Sequence, residues 1–301
     1  MQKHLRRAFT TLNHNEVSKF DSINDWWDTN GSMKVLHSYN IVRLNFIKRV
    51  VMERMQLAEG VKYAYLKGKK AYDVGCGGGL LSESLAHLGA FVVGVDANFT
   101  SVNVAKQHLY QFSPELNNRI LYVNDTAENL LQNGYQLFDK EETQEYDGLF
   151  TGESSKNSPS LSKIKINSEN GGDDFTHIEF RNKFDLITAM EVVEHVDNPS
   201  LFMNTLSQSL KPNGLLFMST INDTLISYLL NVVSAEYILR VVPQGTHDYK
   251  KFINPDKLSN LAKDAGLEMV KLDYFMYEPL SNTFYRDLLL QTNYCIAFQK
   301  K

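Results

Sequence analysis

An α/β fold on a mostly parallel sheet is predicted by three observations. Short β-branched runs recur at Lys70–Val74, Phe91–Asp96, Ile120–Asn124, Phe184–Met190 and Leu215 to Thr220, with helical stretches between them. Such alternation stacks parallel strands and lays helices on both faces. The first run opens into a glycine-rich turn, and the second ends in an acid about twenty residues later, the layout of a nucleotide-type pocket at the carboxyl edge of a sheet.

Residues 1–15 carry Lys3, Arg6 and Arg7 and no acid, with Leu5, Ala8, Phe9 and Leu12 gathered on one helical side. That composition reads as a mitochondrial transit segment, with a basic terminus of no special meaning as the plain alternative. Residues 16–69 form an N-terminal helical cap, with Phe20, Trp26, Trp27, Leu36, Leu44, Phe46, Ile47, Val50 and Met55 at three- and four-residue spacings that are interrupted near Gly31. The main domain is expected over 70–301, seven-stranded, its last two strands (Leu267 to Tyr277 and Tyr294 to Lys300) paired antiparallel because no helix separates them. Residues 139–178, rich in Ser, Asn, Gly, Asp and Glu, read as a disordered acidic insertion. A lid or membrane segment is expected at 222–252. Within it Thr224 to Val242 is apolar but broken by Asn231, Glu236 and Arg240, the pattern of an interfacial helix or of a lid packed on its own domain.

The chain has 301 residues, 43% of them hydrophobic, a formal net charge of −4 and two cysteines far apart. The composition suits a globular body in a reducing compartment, without a disulfide scaffold or a cysteine metal knuckle. Its charge opposes a protein held to nucleic acid by phosphate neutralisation, so no nucleic-acid partner is expected.

Ala71 to Leu81 contains Asp73, Gly75, Gly77 and Gly79 in a GxGxG spacing that differs from the GxGxxG of dinucleotide enzymes, because Leu80 follows. Glycine there lets the backbone turn and a ligand approach. Asp96, at the end of the next strand, is placed to accept both hydroxyls of a ribose, and Asp125 beyond the third strand lies where an adenine amino group would sit. A tight structural turn and a turn-stabilising Asp73 are the plain alternatives. Without a phosphate cradle, the favoured ligand is S-adenosylmethionine.

Phe184–Met190 leads into Glu191, Glu194 and His195. If the chain turns helical after 190, these three share one face at i, i+3 and i+4, with neighbouring Cβ atoms about 5–6 Å apart. Two carboxylates and an imidazole suit a divalent cation: Mg2+ or Mn2+ by their oxygens, with Zn2+ or Fe2+ admitted by the imidazole. A metal-free site using a Glu-His pair is the competing reading. His247 is a candidate general base or, alternatively, an exposed lid histidine.

Phe20 to Asp28, Leu36 to Arg43, the glycine turn, Met190 to Val196, Ser219 to Asn222 and Ala235 to Phe252 together resemble the ubiquinone-biosynthesis O-methyltransferases, the polyprenyldihydroxybenzoate and demethylubiquinol methyltransferases. The resemblance runs from Phe20 to Lys301 and departs at Ile41, where the family usually carries proline. It implies a class I methyltransferase (Rossmann-like) fold and S-adenosylmethionine contacts at Arg43, Gly75, Asp96 and Met190. It also implies magnesium at Glu191, Glu194 and His195, and transfer of a methyl group to a catechol oxygen of a polyprenylated substrate in coenzyme Q synthesis. The implied setting is the matrix side of the mitochondrial inner membrane, peripherally attached within a multisubunit synthesis complex. The acidic insertion suggests a fungal-type member. Two readings compete: a small-RNA ribose methyltransferase using a similar Glu-x-x-Glu-His site, and an assembly subunit that binds S-adenosylmethionine without catalysis.

Overall fold

The computed structural model describes residues 11–55, 57, 63–137, 176–223, 252–279 and 281–301. Five strands, β1 (Lys70–Val74), β2 (Phe91–Asp96), β3 (Ile120–Asn124), β6 (Phe184–Met190) and β7 (Leu210–Ile221), pair in parallel in the order β3-β2-β1-β6-β7. Three more, β10 (Asn293–Lys300), β8 (Leu267–Glu278) and β9 (Thr283–Arg286), continue the sheet antiparallel, giving eight strands. The antiparallel pair is therefore confirmed, but it continues past β7 and is closed by β9. That short strand, mostly exposed, has no apolar run to announce it.

Period-two burial explains why both faces are covered. Tyr72, Val74, Val93, Val95, Leu121, Val123, Ile187 and Ala189 point to one face, against α5 (Ala127–Asn133), α6 (Pro199–Ser209) and α7 (Pro255–Asp264). Ala71, Val92, Ile120, Tyr122, Leu186 and Leu215 point to the other, against α2 (Lys34–Arg54), α3 (Leu80–His87) and α4 (Phe99–Phe112). Each face thus has its own apolar core.

The cap departs from the helical run, interrupted near Gly31, that its spacing predicts. Among its described residues only α1 (His14–Ser18) and α2 are helical, and residues 19–33 form successive turns. The side chains explain this. Asp25 accepts from both the Ser32 N–H and its hydroxyl, and Asp28 accepts from Asn30 N–H, so short polar groups satisfy the backbone locally instead of a helical ladder. Residues 11–15 of the expected transit segment are folded onto the body. Leu12 bridges Val196, Asn13 Nδ2 donates to Asp197 Oδ1 at 2.7 Å, and Thr11 Oγ1 donates to buried Glu128 at 2.6 Å. Residues 1–10 lie outside the described residues.

The expected insertion 139–178 lies outside the described residues as far as 175. Its last three residues are ordered as β5 (Thr176–Ile178), paired antiparallel with β4 (Tyr135–Leu137). The segment 224–242, most of the expected lid 222–252, and His247 also lie outside them. No described helix is long and apolar enough to cross a membrane.

Asp273, buried on β8, is gripped by Arg49 of α2 and by Arg286 of β9, the latter at 2.7 Å. It ties the cap helix to the antiparallel edge. Asp273→Ala frees two guanidiniums that stay partly hydrated, so the loss is that of charge-assisted bonds, about 2 kcal/mol, read as a lower urea midpoint.

Candidate functional site

The carboxyl ends of β1, β2, β3 and β6 finish beside one another, and the loops after them line a cavity of about 350 Å³. Arg43, Asp73, Gly75, Gly77, Asp96, Asp125, Met190, Glu191, Glu194 and His195 all line it, so the structure brings together most of the residues singled out by sequence. Gly79 belongs instead to the start of α3, with φ of 90°, and a Cβ there would meet the Tyr122 hydroxyl at 2.4 Å.

The glycine turn departs from expectation in what fills it. A Cβ on Gly75 would meet Val192 Cγ2 at 2.4 Å, and one on Gly77 or Gly78 would meet the Trp26 indole at 2.5 or 2.4 Å. Protein, as well as any ligand, therefore requires glycine here. Trp27 Nε1 donates to Gly78 O at 2.8 Å, and its ring stacks on His108 with centroids 3.4 Å apart, so the two adjacent indoles clamp the turn from the cap. Sequence reading placed both tryptophans in a helical stripe and missed this role; the run of adjacent glycines, needing an aromatic to cover them, was the available signal.

Beneath the turn, buried Asp73 accepts from the Ser82 and Thr188 hydroxyls, each at 2.7 Å, so it is the turn-stabilising acid. Burial outweighs those bonds and pushes its carboxyl up to about 6. Asp96 accepts from Gly77 N–H at 2.9 Å and Asn98 N–H at 2.7 Å. Each oxygen thus spends one lone pair on the loop, leaving a second for a diol. Asp125 is held by Thr126 N–H and Asn129 Nδ2 at the start of α5 while its residue lines the cavity. Arg43 is buried, stacks over Tyr39 at 4.6 Å and reaches Glu191 Oε1 only at 3.8 Å. Its Nε has no hydrogen-bond partner among the described residues.

After Met190 the chain does not continue as an α-helix. Glu191 adopts a left-handed φ of 58°, its N–H donating to Ser219 O, and Val193–His195 make a single 3-10 turn. The expected common helical face is therefore absent, and among the described residues no three His, Cys, Asp or Glu side chains stand as a ready ligand set. Each of the three has its own environment. Glu191 Oε1 accepts from Ser219 Oγ at 2.5 Å. Glu194 is buried, its Oε2 has no hydrogen-bond partner among the described residues, and burial, with Glu191 second, pushes its carboxyl up to about 8. His195 Nδ1 lies 2.9 Å from Glu16 Oε2. A buried acid with an orphaned oxygen beside a second acid fits a cation that would relieve both, and the three side chains line one cavity.

A methyltransferase-domain family model matches residues 53–272. The ubiquinone biosynthesis O-methyltransferase of Pasteurella multocida is 35% identical over 96% of this chain and 98% of its own. The mitochondrial one of Schizosaccharomyces pombe is 35% identical over 95% of this chain and 86% of its own. Among solved structures, magnesium protoporphyrin IX methyltransferase from Synechocystis PCC 6803 with bound SAH superposes with a TM-score of 0.52 at 14% identity, covering 100% of each chain, which establishes the shared fold.

Two outcomes follow from this geometry. Gly77→Ala places a Cβ inside the Trp26 ring at a left-handed φ of 52° and is expected to lower stability by about 1–3 kcal/mol. The tryptophan emission should shift to the red, because Trp26 and Trp27 are the two tryptophans of the chain. For Asp73, a folded value near 6 against an ordinary 3.8 means that its contribution is complete below about pH 4 and is lost as pH rises through 6. Ligand-free Asp73→Asn should therefore gain about 2–3 kcal/mol on the native chain between pH 4 and 7 in urea unfolding.

Proposed function

The chain belongs to the family of ubiquinone biosynthesis O-methyltransferases, and we propose on that premise that it moves the methyl group of S-adenosylmethionine to a catechol oxygen of a polyprenylated dihydroxybenzoate or demethylubiquinol, with a divalent cation at the acidic turn. The observation that carries the metal reading is Glu194, a buried acid whose Oε2 has no hydrogen-bond partner among the described residues, with a second acid, Glu191, beside it.

S-adenosylmethionine supplies an activated methyl on a positive sulfur. Arg43, buried with an Nε that has no partner among the described residues, suits the carboxylate of its methionine part. Asp96 suits the ribose diol, and Asp125 the adenine edge. Met190, at the end of β6, and the Gly75 turn complete the binding surface. Their fixed positions contribute alignment for an in-line displacement, in which a near-attack geometry is held rather than awaited.

The acceptor phenol titrates near 10 and must lose its proton. Glu191, Glu194 and His195 would hold Mg2+, and a cation held there would lower the pKa of a catechol and favour one of its oxygens. Glu194 must release its own proton to serve as a ligand, so cation binding should strengthen as pH rises toward 8. His247 stays a proposed base on the strength of the sequence alone.

The S. pombe relative supports a mitochondrial setting. Peripheral attachment to the matrix side of the inner membrane through 222–252, within a multisubunit coenzyme Q complex, is part of the same proposal and rests on the apolar, charge-broken sequence of Thr224 to Val242.

Transfer to a short-chain dihydroxybenzoate, assayed with chelator and after add-back of single metals, tests the reading. Activity should vanish with chelator and return with Mg2+. Glu194→Gln should cost at least roughly 100-fold in kcat/KM, above the 10–100-fold typical of an outer-shell group. Full activity in chelator would overturn the metal role and leave methyl transfer standing, whereas no methylation of any catechol would overturn both.

A further inference from the structure

Neither the composition nor the motifs of the chain mark Glu16. It lies on α1, 179 residues from His195, yet its Oε2 sits 2.9 Å from His195 Nδ1. The contact is built rather than incidental. Glu16 is buried, although glutamate is almost never so unless paired. Lys19 Nζ donates to both of its oxygens, at 3.1 and 3.0 Å, so both serve as acceptors. Phe20, one turn on, presents its ring edge-to-face to the imidazole with centroids 5.9 Å apart. On the other side of the contact, the Leu12 to Val196 bridge and the Asn13 to Asp197 bond fix the backbone of the two segments relative to each other.

A carboxylate oxygen that accepts from Nδ1 requires that nitrogen to carry the proton. The neutral imidazole then keeps its lone pair on Nε2, and the ring plane is set by Glu16 and Phe20 together. We propose that Glu16 is a positioning residue of the site, its carboxylate locking His195 in the Nδ1–H tautomer so that Nε2 is the nitrogen presented to a divalent cation. This rests on the metal reading of His195 above for its purpose, but the tautomer it sets is a property of the chain alone. The arrangement is the one by which protein carboxylates commonly orient and strengthen an imidazole ligand. It also gives the cap a part in the chemistry, since α1 carries the acid and the β6–α6 turn carries the histidine.

The test uses two readouts on the full chain. Long-range 1H–15N correlation spectra of the metal-free protein, with His195→Gln for assignment, should show His195 as the Nδ1–H tautomer. In Glu16→Ala the signal should move toward the Nε2–H form that predominates in free imidazoles, while Glu16→Gln, whose amide oxygen still accepts, should retain most of the native tautomer. Mn2+ affinity, followed by the electron paramagnetic resonance signal of the free ion, should weaken 10–100-fold in Glu16→Ala and less in Glu16→Gln. A native spectrum with His195 already in the Nε2–H form overturns the proposal without any variant, as does a Glu16→Ala protein with native tautomer and native Mn2+ affinity. A tautomer shift in a protein whose native form binds no Mn2+ would uphold the action of Glu16 on His195 and overturn the metal reading instead.

Discussion

The site depends on the in-register parallel pairing of β1 with its two neighbours. Val74 lies opposite Val95, Asp73 opposite Thr188, and Asp96 opposite Asn124. Because these strands run the same way, their carboxyl ends finish on one edge, and the turns that leave them cannot avoid one another. The acid at 73, the acid at 96 and the acidic turn at 191–195 face a common space for that reason. No local preference of any one loop would assemble them.

A second constraint is that the turns pack on one another with no room for a side chain. Val192 fills the place of a Cβ at Gly75, and Trp26 fills those at Gly77 and Gly78. The strand-end turn of β6 and the cap thereby hold the β1 turn from two sides. The cavity-lining residues drawn from four strand ends and from α2 then keep fixed separations, because each turn is the wall of its neighbour.

The parallel strands and the helices on both faces were legible because strands buried on two faces leave short, near-continuous apolar runs, as at Val92 to Val95 and Leu121 to Val123. The places of Asp96 and Gly75 in the cavity lining were legible because they follow from their positions at the ends of adjacent strands. Glu16, Trp26 and β9 were not. The first two act across 179 and about 51 residues respectively, the latter judged by the neighbouring Trp27 bond to Gly78, and nothing local marks such a contact. The helix expected after Met190 failed for a physical reason. Spacing alone makes Glu191, Glu194 and His195 look like one helical face, but the Ser219 backbone and hydroxyl capture Glu191 and turn the chain through left-handed space.

The charges of the cavity carry the same reasoning further. Its lining includes Glu16, Asp73, Asp96, Asp125, Glu128, Glu191 and Glu194 against Lys19, Arg43 and the ionisable His195. Several of the acids have partners that soften their burial: hydroxyls for Asp73, loop amides for Asp96, a lysine for Glu16, Thr11 for Glu128. Burial still drives Asp73, Asp96 and Glu194 upward, so the interior as it stands favours their neutral forms. A cavity of this kind rewards positive charge. The sulfonium and amine of S-adenosylmethionine bring two such charges, and a divalent cation at Glu194 would bring two more where the deficit is largest. Arg43 is a buried cation within this acidic lining, and on the proposed reading it would be complementary to the anionic end of that molecule.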